Sequence, residues 1–140
     1  MSYTIESTEW MNDISQDVKN LIQAFFSIAD KPDPEAGQLW VDQVFSESAI
    51  RNARKNAWNA IKARKHVVHR VYAGGSAGED IMLYGIASST IAVNDETIDL
   101  PFAARFLLDH KTLQSSSPRA LLYQVWADQS RLSKALEKSK

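Results

Sequence analysis

Histidines, carboxylates and an arginine set among apolar residues are the groups here that could do chemistry. There is no cysteine in the 140 residues, which removes thiolate nucleophiles, redox pairs and thiolate metal sites. No metal motif is visible either, and no organic cofactor is expected. What remains is proton transfer and electrostatic stabilisation in a dry cavity. His66 is the first candidate. It lies in Arg64-Lys65-His66-Val67-Val68-His69-Arg70, where a basic amphipathic segment gives way to alternation of period two. Strand alternation puts His66, Val68, Arg70 and Tyr72 on one face and Val67, His69 and Val71 on the other. The competing role is that of a core histidine with its hydrogen bonds satisfied. His69 is expected on the outer or dimer-facing side, and His110 in a solvated loop.

Arg105 is flanked by Phe102-Ala103-Ala104 and Phe106-Leu107-Leu108. An arginine buried there needs an anionic partner. Asp30, Asp99, Asp128 or a ligand oxygen are the candidates, and an internal salt bridge bracing the sheet is the commoner outcome. Tyr84, Tyr123 and Gln124 fall on stretches expected to be central strands, and either tyrosine hydroxyl could face a developing oxyanion. Trp40, Trp58, Phe25 and Phe102 could line a pocket for a ring-shaped ligand, with Tyr123 and Gln124 as further ligand contacts. At helical spacing such aromatics more often form core, Trp40 being the exception expected here. The run Gly74-Gly75-Ser76-Ala77-Gly78 joins two strands and opens no helix, so it reads as a hairpin turn and not as a phosphate loop.

The elements that must position these groups follow from the hydrophobic period. Trp10, Ile14, Val18, Leu21, Ile22, Phe25 and Ile28 predict a helix over 8–29, capped by Ser7 or Thr8. Two prolines, Pro32 and Pro34, end it. A short helix is expected over 35–45 and a basic amphipathic helix over 49–64, carrying Arg51, Arg54, Lys55, Lys62 and Arg64 off its apolar stripe. Strands follow over 65–73, 80–93, 97–109 and 120–127, with a tight turn at Asn94-Asp95-Glu96 and a polar loop over 112–119. The tail from Ser130 reads as a short helix or frayed end. Helices first and antiparallel strands after them make a single α+β domain over 1–140.

Charge is blocked. Residues 1–50 hold nine acids and two bases, 51–70 seven bases and no acid, and 71–110 six acids against Arg105 alone. Residues 111–140 carry six bases and two acids. This suits pairing of acidic and basic faces better than nucleic-acid binding. No basic start precedes an apolar run at the N-terminus, and no stretch approaches the ~20 residues of a membrane span. A cytoplasmic location is the expectation.

The succession Phe25-Phe26-Ser27-Ile28-Ala29-Asp30, Leu39-Trp40-Val41-Asp42-Gln43-Val44-Phe45, Met82-Leu83-Tyr84-Gly85, Phe102-Ala103-Ala104-Arg105-Phe106 and Leu122-Tyr123-Gln124-Val125-Trp126-Ala127-Asp128 resembles the nuclear-transport-factor-2-like superfamily. The likeness is to its fungal SnoaL-like branch. The block from Ile50 through Arg54, Trp58, Ile61, Arg64 and His66 to Val71-Tyr72 belongs to the same resemblance, which spans nearly the whole chain. It implies about three N-terminal helices packed into a strongly curved antiparallel sheet, a cone enclosing an apolar pocket. It also implies a homodimer through the sheet face.

Similar proteins include cofactor-free isomerases, cyclases and dehydratases of fungal secondary metabolism, and others that bind without catalysing. The resemblance brings in Asp30 as a rim carboxylate able to orient a histidine or water, the alternative being a cap on the turn before Pro32. It supports His66 as an acid–base residue. Two departures stand out. The strand hairpin usual before the helix near Ile50 is missing or reduced. Gln124 stands where the cyclases have their catalytic aspartate, which argues against aldol cyclisation by that route.

Overall fold

The computed structural model describes residues 4–32, 35–46 and 60–138. Its elements are β1 (Glu9–Trp10), α1 (Gln16–Ala29), α2 (Ala36–Gln43), β2 (Ile61–Gly74), β3 (Asp80–Ile91), β4 (Thr97–Leu108), β5 (Ala120–Ala127) and α3 (Ser130–Lys138). One five-stranded sheet runs β1-β2-β3-β4-β5. β2 to β5 are antiparallel neighbours, while β1 pairs parallel to β2 through Glu9↔Arg70 and Trp10↔Val71. The chain is α+β with a mixed sheet, not the purely antiparallel one expected.

Two expected helices are corrected. The first starts at Gln16, not near Thr8, and Ser15 caps it by accepting from the Val18 N–H at 3.2 Å. Upstream, Asn12 at φ 66 breaks the helical ladder. The N–H of Met11 donates to Val71 O at 2.8 Å, and the Thr8 hydroxyl donates to Val68 O at 2.6 Å. Trp10 keeps its helix-like spacing but belongs to the sheet edge, because a helix there would leave the second half of β2, at Arg70 and Val71, without this partner. The basic helix expected over 49–64 ends in strand: Ile61 pairs with Ile91 and Arg64 with Ser89. Residues 47–59, which include the rest of that expected helix, lie outside the described residues. Among the described residues, two helices lie between β1 and β2 and the third follows β5.

Both apolar clusters lie on one face of the sheet, the inner face. Val18, Leu21, Ile22, Phe25, Phe26 and Ile28 of α1 pack on Val68, Val71, Ile81, Leu83, Phe102, Ala104, Phe106 and Leu108. Ala135, with Leu132 and Leu136 of α3, covers Ile61, Ile91, Ile98 and Leu100 at the other end. Alternation along β4 is regular, with Ile98, Leu100, Phe102, Ala104, Phe106 and Leu108 all buried. Along β2 it is not. A register shift between Val68 and Arg70 resets the faces, so His66 and Val68 point inward, then Val71 and Ala73. Arg70 and Tyr72 therefore do not share the face of His66, contrary to simple alternation. Gly85 lies against this bulge: a Cβ on it would stand 2.0 Å from Val67 O, so only glycine lets the strands approach.

The turns behave as their residues dictate. Gly75 and Gly78 take φ of 84 and 78 in the β2–β3 hairpin. Asn94 Oδ1 accepts from the Glu96 N–H at 3.0 Å, and Asp95 sits at φ 59 between β3 and β4.

Candidate functional site

Asp30 closes α1 as its C-cap, its backbone N–H donating to Ile28 O and Phe26 O. A carboxylate at that end opposes the helix dipole and needs compensation. His66 supplies it from β2. Its backbone N–H donates to Asp30 Oδ2 at 2.8 Å, and its Nδ1 stands 2.5 Å from Asp30 Oδ1. A carboxylate only accepts, so the Nδ1 proton faces Asp30 and Nε2 is the nitrogen left for other chemistry. The two side chains are 16 % and 14 % exposed. The His66 ring lies 5.0 Å from that of Phe26 and 5.3 Å, edge-on, from that of Phe102. Asp30 thus turns to His66 and not to the turn before Pro32.

Arg64 stands two residues before His66 and pairs with Ser89, which is buried on the inner face. Burial lowers the pKa of its guanidinium, and the nearby Asp30 charge acts in the opposite direction. The reading of Arg64 as an outer helix residue is therefore corrected. The signal was present: Arg64, His66 and Val68 share a parity that places them together once the strand begins at Ile61.

Other expected site residues lie elsewhere. Arg105 forks onto Asp80, with Nε to Oδ1 at 2.8 Å and Nη2 to Oδ2 at 3.0 Å, and its Nη1 reaches Gln124 Oε1 at 3.4 Å. This ion pair holds the Asp80 carboxyl below its ordinary pKa, chiefly through the Arg105 hydrogen bond. None of Asp30, Asp99 or Asp128 fills that role. Tyr84 is 41 % exposed and meets the His69 ring edge-on at 6.1 Å. Arg105, Gln124 and Tyr84 lie on the outer face, so the sheet separates them from His66. Strand parity could not reveal this while the bulge in β2 was unknown.

The aromatic candidates divide. Phe25 stacks on Trp40 at 4.8 Å and 6°, and its ring also meets those of Phe26, Phe45, Phe106 and Tyr123. Trp40 Nε1 donates to Phe25 O at 3.1 Å, so Trp40 too is committed to packing. Burial raises the Tyr123 hydroxyl pKa. Among the described residues expected to line a pocket, Phe102 alone has a ring contact with His66, and Phe26 joins it there, a neighbour the sequence reading missed; Trp58 lies outside the described residues.

On the outer face, an open groove of about 930 Å³ is lined by His69, Tyr84, Ile86, Pro101, Ala103 and Trp126, among others. His110 lies in the loop after β4, with Nε2 3.1 Å from Glu79 Oε1. Among the described residues no three His, Asp or Glu side chains converge as a metal site. No described helix is long and apolar enough to cross a membrane. No family model matches the chain, and no curated protein or solved structure matches it significantly.

Proposed function

We propose that this chain is a cofactor-free isomerase, cyclase or dehydratase of the SnoaL-like, cone-shaped kind, moving protons on an apolar ring compound. The observation that carries this reading is the Asp30–His66 pair held between the Phe26 and Phe102 rings. With its Nδ1 proton committed to Asp30, His66 presents Nε2 as a base. It takes a proton from carbon next to a carbonyl, or from a hydroxyl, and returns it at another position or to a departing hydroxyl, which leaves as water. Asp30 holds the ring in one orientation and stabilises the imidazolium formed on the way. The apolar walls keep water from competing for that proton.

The test is proton exchange. Incubated in D2O with 2-tetralone, the protein should speed deuterium incorporation next to the carbonyl, followed by mass spectrometry. His66→Gln should reduce that rate about a hundredfold or more, while Arg70→Gln on the outer face should leave it intact. A wild-type rate equal to that of buffer over a panel of ring ketones would sink the enzyme reading.

A second reading, a non-catalytic ligand-binding or dimerisation module, is favoured by the outer face. Tyr84 and Trp126, which line the open groove, are 41 % and 52 % exposed, and Tyr72 and Met82 on the same face are each 39 % exposed. Apolar surface of that kind suits a second copy of the chain. Sedimentation of wild type and Trp126→Lys tests it, with a dimer lost in the variant as its expected result.

A further inference from the structure

Across the outer face, Tyr84, Ala103 and Trp126 form one row on three neighbouring strands. Tyr84 of β3 pairs with Ala103 of β4, and Ala103 pairs with Trp126 of β5. Strands lie ~4.8 Å apart, so the two aromatic residues stand about 9–10 Å apart with a single methyl group between them. Trp126 is 52 % exposed and Tyr84 41 %. Among the described residues, Tyr84 meets one aromatic ring, that of His69, edge-on at 6.1 Å, and Trp126 meets none. His69 backs Tyr84 on the side away from Ala103, since β2 and β4 flank β3. The row makes a slot with two aromatic walls and an alanine floor, set in the open groove of about 930 Å³. With His69 neutral, Asp128 is the single charged residue lining that groove. The Ser130 backbone N–H holds its carboxyl below the ordinary aspartate pKa, so it is ionised at neutral pH.

We propose that this slot binds a flat aromatic cation, a protonated or quaternised nitrogen heterocycle, with Asp128 as its counter-charge. The proposal deepens the ligand-binding side of the second reading and is independent of proton transfer by His66. A ring seated over Ala103, midway between the walls, lies about 4.8 Å from each, within the ~4.5–7 Å at which aromatic rings pair. The faces of indole and phenol attract positive charge, and a carboxylate at the end of the groove adds to that attraction. A second copy of the chain suits the slot less well. The adjoining row on the same face, Met82, Arg105 and Gln124, carries the Arg105–Asp80 pair, whose side chains are 32 % and 36 % exposed. A second sheet laid on this face would take that pair out of water at a cost in free energy. A single ring in the slot leaves it solvated.

The experiment is a titration of the full chain with 1-methylquinolinium, neutral 2-methylquinoline and 1-naphthoate at mildly alkaline pH. The Trp126 indole and Tyr84 ring resonances report the place of binding and its affinity. The cation should bind about fivefold to thirtyfold tighter than the neutral ring and shift both signals, with the anion weakest. Ala103→Leu fills the floor of the slot from an outward position and should abolish binding. Trp126→Ser removes one wall and should weaken it likewise, read at Tyr84, if the leucine variant folds poorly. Asp128→Asn keeps the cap on Ser130 without the charge, and should narrow the preference for the cation severalfold. Equal binding of cation and neutral ring, no shift at Trp126 and Tyr84, or binding that survives both slot variants overturns the proposal. Sedimentation as a dimer that is lost in Trp126→Lys, with no shift by the cation, also overturns it. That outcome puts a second copy on the face and leaves the dimerisation reading standing. Exchange into ring ketones, which tests His66, is read separately in every case.

Discussion

Asp30→Asn is the perturbation that bears most directly on the pair at the site. In the native protein both carboxylate oxygens accept, one from the fixed backbone N–H of His66 at 2.8 Å and one from Nδ1 at 2.5 Å. An asparagine keeps a single oxygen. The backbone N–H cannot turn away, so it holds that oxygen, and the new amide N–H2 faces Nδ1. Two donors would then meet unless the imidazole moves its proton to Nε2. The substitution should therefore flip the tautomer and remove Nε2 as a base, without deleting a side chain.

The stability cost follows from the same contacts. Two charge-assisted hydrogen bonds become neutral ones, each losing about 1–1.5 kcal/mol, or about 2–3 kcal/mol together. Little is discounted for solvent, since both groups are less than one-fifth exposed. For a chain of this length that corresponds to a melting point lower by about 6–12 °C. Ring nitrogen shifts of His66 report the tautomer, and urea titration reports the energy. An unchanged Nδ1–H tautomer in the variant, or a loss under about 0.5 kcal/mol, would refute the pairing described above.

Phe25→Ala removes the ring that meets five others and should cost about 3–5 kcal/mol in urea unfolding, with a largely unchanged denaturant slope. Gly85→Ala drives a methyl to 2.0 Å from a backbone oxygen and should cost about 3 kcal/mol or more. Gly78→Ala, with nothing within 4 Å but φ of 78, should cost only about 1 kcal/mol. Comparable melting points for the two alanine variants would contradict the close approach at the bulge. Glu79 is held at about 2, against an ordinary 4.5, by its own backbone N–H and that of Ala77, with a smaller contribution from His110. A depressed carboxyl stabilises the fold above its unfolded pKa and loses that contribution as pH falls. Between about pH 5 and pH 2 the wild type should lose more stability than Glu79→Gln; parallel pH profiles would rule the effect out.

Much of the architecture was legible because burial periodicity is a local property. The six inward residues of β4 alternate without a break, and Ala120–Ala127 agrees with its expected strand at both ends. Gly75 and Gly78 marked their turn because only glycine adopts those backbone angles without strain. Locality also set the limit. Trp10 continues the helical spacing of α1, yet its backbone is taken by Val71, sixty-one residues away. Ile61 suits either period, and its pairing with Ile91 decides for strand.

The candidate site divides in the same way. By itself the sequence determined which chemistries were available: with no cysteine and a histidine next to a strand, proton transfer was the chemistry left to consider. Family likeness put Asp30 forward, but nothing in its local sequence tied it to His66 across thirty-six positions. That pairing depends on where α1 ends over β2. Tertiary structure also separated Arg105, Tyr84 and Gln124 from His66 and brought Arg64 beside it. The physical reason is the bulge after Val68 and the early start of β2 at Ile61. A side chain's face depends on the register of a whole strand against its neighbours, and hydrogen bonds to distant residues set that register.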